Sequence, residues 1–207
     1  MADIETFFDL SSPWTRIAFH NLRGLAGEMG VTVHWRPFLV GGVFNAVNDS
    51  VYAMRADMDA PKSRHQTRWI HEWAAVAGLP MKFPSEHHPV KSILPMRACC
   101  CLEDDQPALE TFAEACFDAY FREGRNLDDP EVIAAIADAL GHDGRGLVEQ
   151  TADPAIKARL RENTDEAIAR GAYGSPTIFV GDALYFGNDQ LPLVRRALEI
   201  RGERPAK

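Results

Sequence analysis

The sequence has little positive charge and lacks a long apolar run. Its 207 residues include 22 Lys+Arg against 30 Asp+Glu, a formal net charge of −8. Binding to phosphate backbones needs a basic face, so this balance argues against nucleic acid as a partner. No apolar run approaches the roughly 20 residues that span a bilayer, and we expect no membrane partner. With 46% hydrophobic and 25% charged residues, the composition is typical of one globular domain, with or without a large insertion.

Sequence signals of metal binding, redox chemistry and secretion are also missing. The four cysteines show no CxxC spacing, and no HExxH segment is present. Adjacent side chains on a helix point in different directions, so Cys99–Cys101 cannot share one metal ion. We expect no metal and interpret these residues and Cys116 as reduced thiols that pack like small apolar side chains. The first five residues lack the basic stretch of a secretory signal, and we expect a cytoplasmic protein.

Strand patterns lie at the two ends of the chain. Near the N-terminus, a strand over 4–8, a helix over 14–29 and a strand over 31–38 form a βαβ unit, because their apolar residues recur at strand, helix and strand spacing. Gly30 stands where a glycine ends a helix. Near the C-terminus, short strands are predicted over 177–180 and 183–186, with Gly181-Asp182 as the hairpin turn between them. A final helix is predicted over 190–201.

The middle of the chain is predicted to be helical. Residues 45–62 show no period and are predicted to form a loop. The helices that follow often begin at a capping residue before Pro or end at Gly, and they cover 64–77, 93–103, 107–123, 130–140 and 154–170. The order of elements is that of an α/β fold, a thioredoxin-like fold with a large all-helical insertion. We place the thioredoxin-like domain at 1–45 and 154–207 and the helical insertion domain at 46–153.

Two residues occupy the positions that carry chemistry in a thioredoxin fold. Ser12 stands at the N-terminus of the first helix, and Pro176 starts the late strand beside it. Ser12 can cap the helix through its side chain, since Pro13 suits the first helical position. A hydroxyl at this partly positive helix end can also stabilise a thiolate held beside it. The segment Ser12-Pro13-Trp14-Thr15 replaces a Cys-x-x-Cys motif, so disulfide exchange here is disfavoured and a thiol borrowed from a ligand, such as glutathione, is the candidate.

Several short motifs follow one another from residue 7 to residue 189. They are Phe8-Asp9-Leu10-Ser11-Ser12-Pro13-Trp14, Leu39-Val40-Gly41-Gly42-Val43-Phe44, Gly78-Leu79-Pro80, Phe83-Pro84, His88-Pro89-Val90-Lys91-Ser92, Met96-Arg97-Ala98, Gly174-Ser175-Pro176-Thr177 and Phe186-Gly187-Asn188-Asp189. Their order and spacing resemble those of the 2-hydroxychromene-2-carboxylate isomerase family, which is related to kappa-class glutathione transferases. Members of this family are usually homodimers, so the resemblance also implies a homodimer.

The resemblance implies a glutathione site built from both ends of the chain. Ser12, the catalytic residue, would hold the glutathione sulfur as a thiolate. The backbone of Ser175, before a cis Pro176, would pair with the glutathione peptide. Asn188 and Asp189 would hold the γ-glutamyl end, Asp189 through a charge pair with its amino group. Glutathione is therefore the expected cofactor.

Departures from the family concern charged residues, and one of them is Lys91, where the family usually has Asn. A lysine that the family usually carries near position 44 or 45 is replaced by Phe44 and Asn45, and a helix motif with Asp and Arg is replaced by Trp69-Ile70-His71-Glu72-Trp73. Lys62 is the cation that we place in the cofactor site instead. The further candidates for a carboxylate partner are Arg64, Lys91 and Arg97.

The resemblance predicts a glutathione-dependent isomerase that acts on a small aromatic hydroxy-carboxylate. Thiolate addition to an electrophilic carbon, bond rotation and elimination would return glutathione unchanged. Phe44, Trp69 and Trp73 are candidates to cover the substrate. Three alternatives stay open: a kappa-like glutathione transferase or peroxidase that consumes glutathione, a non-catalytic thioredoxin-like binding protein, and a dithiol isomerase built on Cys99–Cys101.

Overall fold

The computed structural model describes residues 3–48 and 60–202. The N-terminal part forms β1 (Ile4–Phe8), α1 (Pro13–Met29), β2 (Val33–Pro37) and α2 (Val40–Val47). The middle part forms α3 (Pro61–Val76), α4 (Ile93–Cys101), α5 (Gln106–Asp118) with a π-helical turn (Ala119–Glu123) at its end, α6 (Pro130–Ala139) and α7 (Gly144–Gln150). The C-terminal part forms α8 (Pro154–Ala169), β3 (Thr177–Val180), β4 (Ala183–Phe186), a 3-10 turn (Asn188–Gln190) and α9 (Leu191–Gly202).

The described strands form one mixed sheet in the order β2-β1-β3-β4. β1 and β2 run parallel, with Ile4 opposite Val33, and α1 is the crossover that a parallel pair needs. β3 runs antiparallel to both β1 and β4, with Thr6 opposite Ile178. The N-terminal and C-terminal segments therefore meet in one sheet, which confirms the thioredoxin-like α/β fold predicted from the sequence.

Both faces of the sheet are covered, because successive side chains of a strand point to opposite faces. On β1, Ile4 and Phe8 belong to a large apolar cluster with α1 and the helices of the middle part. Phe7, between them, belongs to a smaller cluster that includes Phe38 and Ala167. The alternation on the central strand thus fixes which helices lie on which side of the sheet.

The division into a thioredoxin-like domain and a helical insertion domain stays a prediction, and the two predicted parts share a core. Helices α3 to α7 all lie within the predicted insertion. The large apolar cluster nevertheless joins Phe8 and Phe19 to Phe112 and Phe117, and the rings of Phe19 and Phe117 are 5.2 Å apart. The insertion is therefore packed against the sheet as part of the same core. None of the described helices is long and apolar enough to span a bilayer.

Two short helices differ from the sequence predictions. α2 overlaps the start of the segment predicted as a loop, and α7 was not predicted. Both contain glycines, which disfavour helices, so tertiary contacts at their N-termini stabilise them. A carboxylate oxygen of Asp9 accepts the N–H of Val40 at 2.9 Å, and one of Asp138 accepts the N–H of Gly144 at 2.8 Å. The rest of the predicted loop, residues 49–59, lies outside the described part of the chain.

The four cysteines lie on α4 and α5 as free thiols. Cys99, Cys100 and Cys116 are buried in the large apolar cluster, and Cys101 is half-buried beside it. Burial raises the pKa of all four thiols, that of Cys101 to about 11. This packing confirms the interpretation of the cysteines as small apolar side chains, because a thiol with so high a pKa is almost entirely protonated and unreactive at neutral pH.

Candidate functional site

Ser12 caps α1, and its hydroxyl makes two hydrogen bonds. It accepts one from the N–H of Thr15 at 3.2 Å and donates one to the carbonyl oxygen of Ser175 at 3.1 Å. Pro13 occupies the first helical position and has no N–H to satisfy. The N–H of Trp14 has no hydrogen-bond partner among the described residues. The helix end therefore presents an unpaired donor and partial positive charge beside the Ser12 hydroxyl.

The loop before β3 is held against this helix end. The Ser175–Pro176 peptide bond is cis, as the resemblance implies. The Ser175 hydroxyl accepts the N–H of Asp9 at 3.0 Å and lies 2.7 Å from the Thr15 hydroxyl. Within residues 3–48 and 60–202, the N–H of Ser175 has no hydrogen-bond partner. A backbone donor is thus available next to Ser12, where a bound peptide group could pair with it.

A buried carboxylate connects the segments that surround Ser12. Asp9 is fully buried, and one of its oxygens accepts both the N–H of Ser11 at 2.9 Å and its hydroxyl at 2.8 Å. The other oxygen accepts the N–H of Val40 at 2.9 Å and the hydroxyl of Ser92 at 3.0 Å. Burial raises the pKa of Asp9, and the four donors offset only part of the increase. Ser92 stands at the N-cap of α4, but its hydroxyl bonds Asp9 and makes no capping bond.

Ser12 lines a cavity of about 350 Å³ near the start of α1. Most of its wall is apolar or aromatic and is contributed by Trp14, Phe44, Ile70, Phe83, Tyr173 and Phe186. The rings of Tyr173 and Phe186 are 4.4 Å apart and form one side. None of the described residues that line the cavity is Asp, Glu, Lys or Arg. The cavity suits a small ligand with an aromatic or apolar body.

One face of α3 supplies polar groups to this cavity. Ser63, Gln66 and Thr67 lie three or four residues apart, so they share a face of the helix. The Thr67 hydroxyl donates to the carbonyl oxygen of Ser63 at 3.1 Å. The side-chain amide of Gln66 has no partner in the part of the chain that the structure describes. It can therefore donate to and accept from a bound ligand.

The residues predicted to hold the γ-glutamyl end lie in the 3-10 turn before α9. Asn188 is buried, and its side-chain oxygen accepts the amide N–H of Asn21 on α1 at 2.8 Å. Asp189 is exposed. Burial and the charge of Asp189 both raise the pKa of Tyr173, which places this carboxylate near the cavity wall. The turn is therefore next to the cavity, and the roles of both residues in binding stay predictions.

The structure separates some of the predicted residues from the cavity. Lys62 lies on the first turn of α3, exposed and outside the cavity lining, and its role as a ligand contact stays a prediction. Phe44 does line the cavity, whereas Trp69 and Trp73 do not. Trp69 instead packs edge-on against Trp14, with ring centroids 5.4 Å apart.

Several lining residues were not predicted as site residues. Gln66 lies on α3, Phe83 and His88 lie in the loop between α3 and α4, and Tyr173 lies before β3, so only the fold brings these residues to Ser12. Three of them had a signal in the sequence. Phe83 and His88 lie within motifs of the family resemblance, and Gln66 belongs to the polar row at helical spacing on α3.

The fold and the site define a thioredoxin-class protein that carries serine at the position of the redox cysteine. A family model described as a DSBA-like thioredoxin domain matches residues 3–199, and the chain belongs to this family. It is similar to a 2-hydroxychromene-2-carboxylate isomerase from Pseudomonas putida, with 25% identity over 198 residues, 94% of this chain and 93% of that protein. It is also similar to glutathione S-transferase kappa 2 from Caenorhabditis elegans, with 24% identity over 203 residues, 92% of this chain and 89% of that protein.

A solved structure agrees with these relatives. The structure of a 2-hydroxychromene-2-carboxylate isomerase superposes with a TM-score of 0.86 at 25% identity and covers 96% of this chain and 95% of its own. The resemblance predicted from the short motifs is therefore confirmed. The chain is therefore similar both to proteins named as isomerases and to proteins named as kappa-class transferases.

Proposed function

We propose that this protein is a glutathione-dependent isomerase of an aromatic hydroxy-carboxylate of the 2-hydroxychromene-2-carboxylate type. One observation carries the proposal: the Ser12 hydroxyl lies at the N-terminus of α1, beside an unpaired N–H and a cis-Pro loop, and lines a largely aromatic cavity. Relatives named for this reaction support the choice of substrate class. We also propose that the protein is a cytoplasmic homodimer, as its family resemblance implies.

Ser12 would stabilise the glutathione thiolate by exchanging one hydrogen bond for another. Its hydroxyl now donates to the carbonyl oxygen of Ser175 at 3.1 Å. With glutathione bound, the same hydroxyl would turn to the sulfur, and a hydrogen bond to an anion is stronger than one to a neutral carbonyl. The N–H of Thr15 would keep the Ser12 oxygen in place. The helix end adds its partial positive charge, so the thiol pKa falls.

The rest of glutathione would extend along the cis-Pro loop. The unpaired N–H of Ser175, before Pro176, would donate to the glutathione peptide. Asn188 and Asp189 would bind the γ-glutamyl end, with the exposed Asp189 carboxylate facing its ammonium group. Lys62 would supply a cation for a carboxylate at the start of α3.

The reaction would use the thiolate as a reversible nucleophile. Sulfur adds to the alkene carbon conjugated with the ketone of the ring-opened substrate, and the alkene electrons move onto the ketone as an enolate. The former double bond is then single and rotates. Collapse of the enolate restores the alkene in the other geometry and expels the thiolate, so glutathione is regenerated. The aromatic wall with Phe83 and Phe186 would hold the substrate ring.

A kappa-like glutathione transferase or peroxidase is the second candidate, since kappa-class transferases are also among the relatives. It would use the same Ser12 thiolate site. The two functions differ in stoichiometry, because a transferase or peroxidase consumes glutathione and an isomerase returns it. The concentration of reduced glutathione after complete conversion of the substrate decides between them.

Calorimetric titration with glutathione tests the site. Wild type should bind, and Asp189→Ala should lose about tenfold in affinity or more, because a charge-assisted contact contributes roughly 1.5–3 kcal/mol. Asp182→Ala is the matched control: this aspartate is also exposed, but it lies in the β3–β4 turn at the opposite end of the hairpin. If wild type shows no binding heat and no thermal shift at millimolar glutathione, the proposed function is wrong. Binding without turnover of any electrophile would indicate a non-catalytic binding protein.

A further inference from the structure

Gln66 lies on the face of α3 that is turned towards the cavity. Ser63, three residues before it, and Ile70, four residues after it, are each 4% exposed, and all three residues line the cavity. The residues on the other face, 64–65 and 68–69, are exposed. Side chains three or four residues apart share one face of a helix. The Gln66 amide is therefore directed into the cavity.

Within the described part of the chain, the Gln66 amide has no hydrogen-bond partner. Other donors of the cavity lining are already used by the protein: the hydroxyls of Thr67 and Ser11 and the amide of Asn48 donate to protein oxygens at 2.8–3.1 Å. The two N–H donors of the Gln66 amide are thus available to a bound ligand. A half-buried amide with unused donors in a largely apolar wall is typical of a group that orients a ligand.

Thiolate addition moves negative charge from the sulfur to an oxygen of the substrate. In the proposed reaction the alkene electrons move towards the ketone, so the ketone oxygen becomes the oxygen of an enolate. The Ser12 hydroxyl and the N–H of Trp14 lie at the end of the cavity where the sulfur would bind. None of the described lining residues is Lys or Arg. The enolate oxygen therefore depends on neutral donors, which stabilise a developing charge strongly where they are fixed and shielded from water.

An amide donor favours the enolate over the ketone that precedes it. A hydrogen bond to an ionised acceptor is roughly twice as strong as one to a neutral acceptor, so Gln66 would bind the enolate more tightly than the ketone. Only such a difference between the two states accelerates the reaction. A contact with the substrate carboxylate, which keeps its charge throughout, would lower KM and leave kcat unchanged. The effects on kcat and KM thus report which substrate oxygen Gln66 binds.

We propose that Gln66 is a further catalytic residue, whose side-chain amide donates to the ketone oxygen of the substrate and stabilises the enolate. This inference rests on the proposed isomerase function. In the addition step an S–C bond forms, the C=C electrons form the double bond of the enolate, and the C=O electrons move onto oxygen. Elimination reverses each of these changes after bond rotation. Gln66 gives up no proton in either step, so both steps balance with glutathione as the co-reactant.

The test compares three variants of the full-length protein with wild type. Gln66→Met removes the amide but keeps the length of the side chain and a residue that favours helices. Gln66→Glu keeps the shape and replaces the amide with a carboxyl group. Gln150→Met is the matched control, because Gln150 is exposed at the end of α7 and lies outside the cavity lining. For each protein we would measure kcat and KM for isomerisation as a function of pH, glutathione affinity by calorimetry and the thermal unfolding midpoint.

Gln66→Met should lower kcat by about 10²–10³-fold, the effect of removing one donor to a developing oxyanion. Its KM should stay close to the wild-type value, because an interaction made mainly in the transition state contributes little to binding of the neutral ketone. Its glutathione affinity and unfolding midpoint should match those of wild type. Gln150→Met should match wild type in all of these measurements.

Gln66→Glu adds a pH-dependent signature. The ionised carboxylate repels the enolate, whereas the protonated carboxyl group donates to it, and a largely apolar cavity raises the pKa of such a group. The kcat of Gln66→Glu, divided by that of wild type at the same pH, should therefore rise as the pH falls. The titratable lining residues His88 and Tyr173, the exposed Lys62 and His65 of α3 and the bound thiol are common to both proteins, so their own titration largely cancels in this ratio.

Any of three results would overturn the proposal. In the first, Gln66→Met keeps the wild-type kcat, whether or not its KM changes. In the second, Gln66→Met loses kcat only together with glutathione affinity and thermal stability. In the third, the kcat ratio of Gln66→Glu to wild type does not rise as the pH falls. If wild type binds glutathione and isomerises the substrate, each of these results contradicts the role of Gln66 alone, whereas wild type that binds no glutathione contradicts the proposed function as well.

Discussion

The hydroxyl of Ser12 donates a hydrogen bond of 3.1 Å to the carbonyl oxygen of Ser175, 163 residues further along the chain. This contact joins the start of α1 to the residue before the cis Pro176, and both residues line the cavity. A hydroxyl that donates only to a neutral carbonyl can be redirected to an anion at small cost. Under the proposed function, the Ser12–Ser175 pair is the resting form of the thiolate-binding site.

Replacement of Asp9 should destabilise the fold in a pH-dependent way. In Asp9→Asn, an amide NH2 group replaces one of the two carboxylate oxygens, which together accept four hydrogen bonds. Buried donors then face an N–H group, which should lower the free energy of unfolding by roughly 1–3 kcal/mol. Burial raises the pKa of Asp9 above the ordinary value of about 3.9. The folded state then binds this proton more tightly than the unfolded chain, so the stability from Asp9 is complete below about pH 4 and is lost as the pH rises through the folded pKa.

The loss of unfolding free energy caused by Asp9→Asn should therefore be larger at pH 4 than at pH 8. Denaturant unfolding at the two pH values measures it, with the exposed Asp182→Asn as the control. A larger loss at pH 8 would mean that the four donors lower the pKa more than burial raises it.

Gly174 sets the position of one cavity wall. A Cβ at this residue would lie 2.7 Å from a ring carbon of Phe186, so Gly174→Ala must displace the Phe186 ring, which packs against Tyr173. We expect a higher KM for the aromatic substrate and a loss of about 1–3 kcal/mol in stability from overpacking. Steady-state kinetics and thermal unfolding measure the two effects.

A double variant and a control test the cause of this effect. Phe186→Leu in the Gly174→Ala background should restore part of the lost stability, since the overlap involves this ring alone. Gly27→Ala is the matched control: its Cβ would meet nothing within 4 Å on the exposed side of α1, and it should stabilise the helix by up to about 1 kcal/mol. Additive losses in the double variant would contradict the proposed overlap.

Arg36 holds a partly buried group of carboxylates together beneath β1 and β2. It bonds Glu5 at 2.7 Å, Glu103 at 3.0 Å and Glu166 at 2.8 Å. Arg36→Met should destabilise the fold by about 3–5 kcal/mol, because the Glu103 side chain, 8% exposed, loses its charged partner inside the protein. Arg68→Ala, which breaks an ion pair exposed on both sides, should cost less than about 1 kcal/mol. Equal losses for the two variants in urea unfolding would contradict the importance of burial.

The sequence predicts the strands better than the cavity, for a physical reason. The strands at 4–8, 177–180 and 183–186 are found with those bounds, because alternation and the Gly181-Asp182 turn are local signals. The position of Ser12 beside the Ser175–Pro176 loop is also predicted from the sequence, because Ser12 and Pro176 match known positions of a thioredoxin fold. The cavity wall that α3 contributes depends on how the insertion packs on α1, which no local sequence signal predicts. Trp69 was expected to cover the substrate, yet the polar row of α3 faces the cavity and Trp69 packs on Trp14 instead.

The cysteines should be almost unreactive in the folded protein. Only Cys101 is not fully buried, and its pKa of about 11 leaves little thiolate at neutral pH. A thiol reagent added to native protein should therefore react slowly and at Cys101 alone, whereas all four cysteines react after unfolding. The Cys101→Ser variant should abolish the native reaction. Two fast native thiols would instead support the dithiol alternative at Cys99–Cys101.

The central claim is that Ser12 lowers the pKa of a bound thiol, and a pH titration of thiolate absorbance under saturating glutathione tests it most directly. Wild type should show an apparent thiol pKa clearly below that of free glutathione. Ser12→Ala, which still binds glutathione through the Ser175 loop and Asp189, should return the pKa most of the way to the free value. A Ser12→Ala complex whose thiol pKa is as low as that of wild type would contradict the claim, and so would a wild-type complex that titrates like free glutathione.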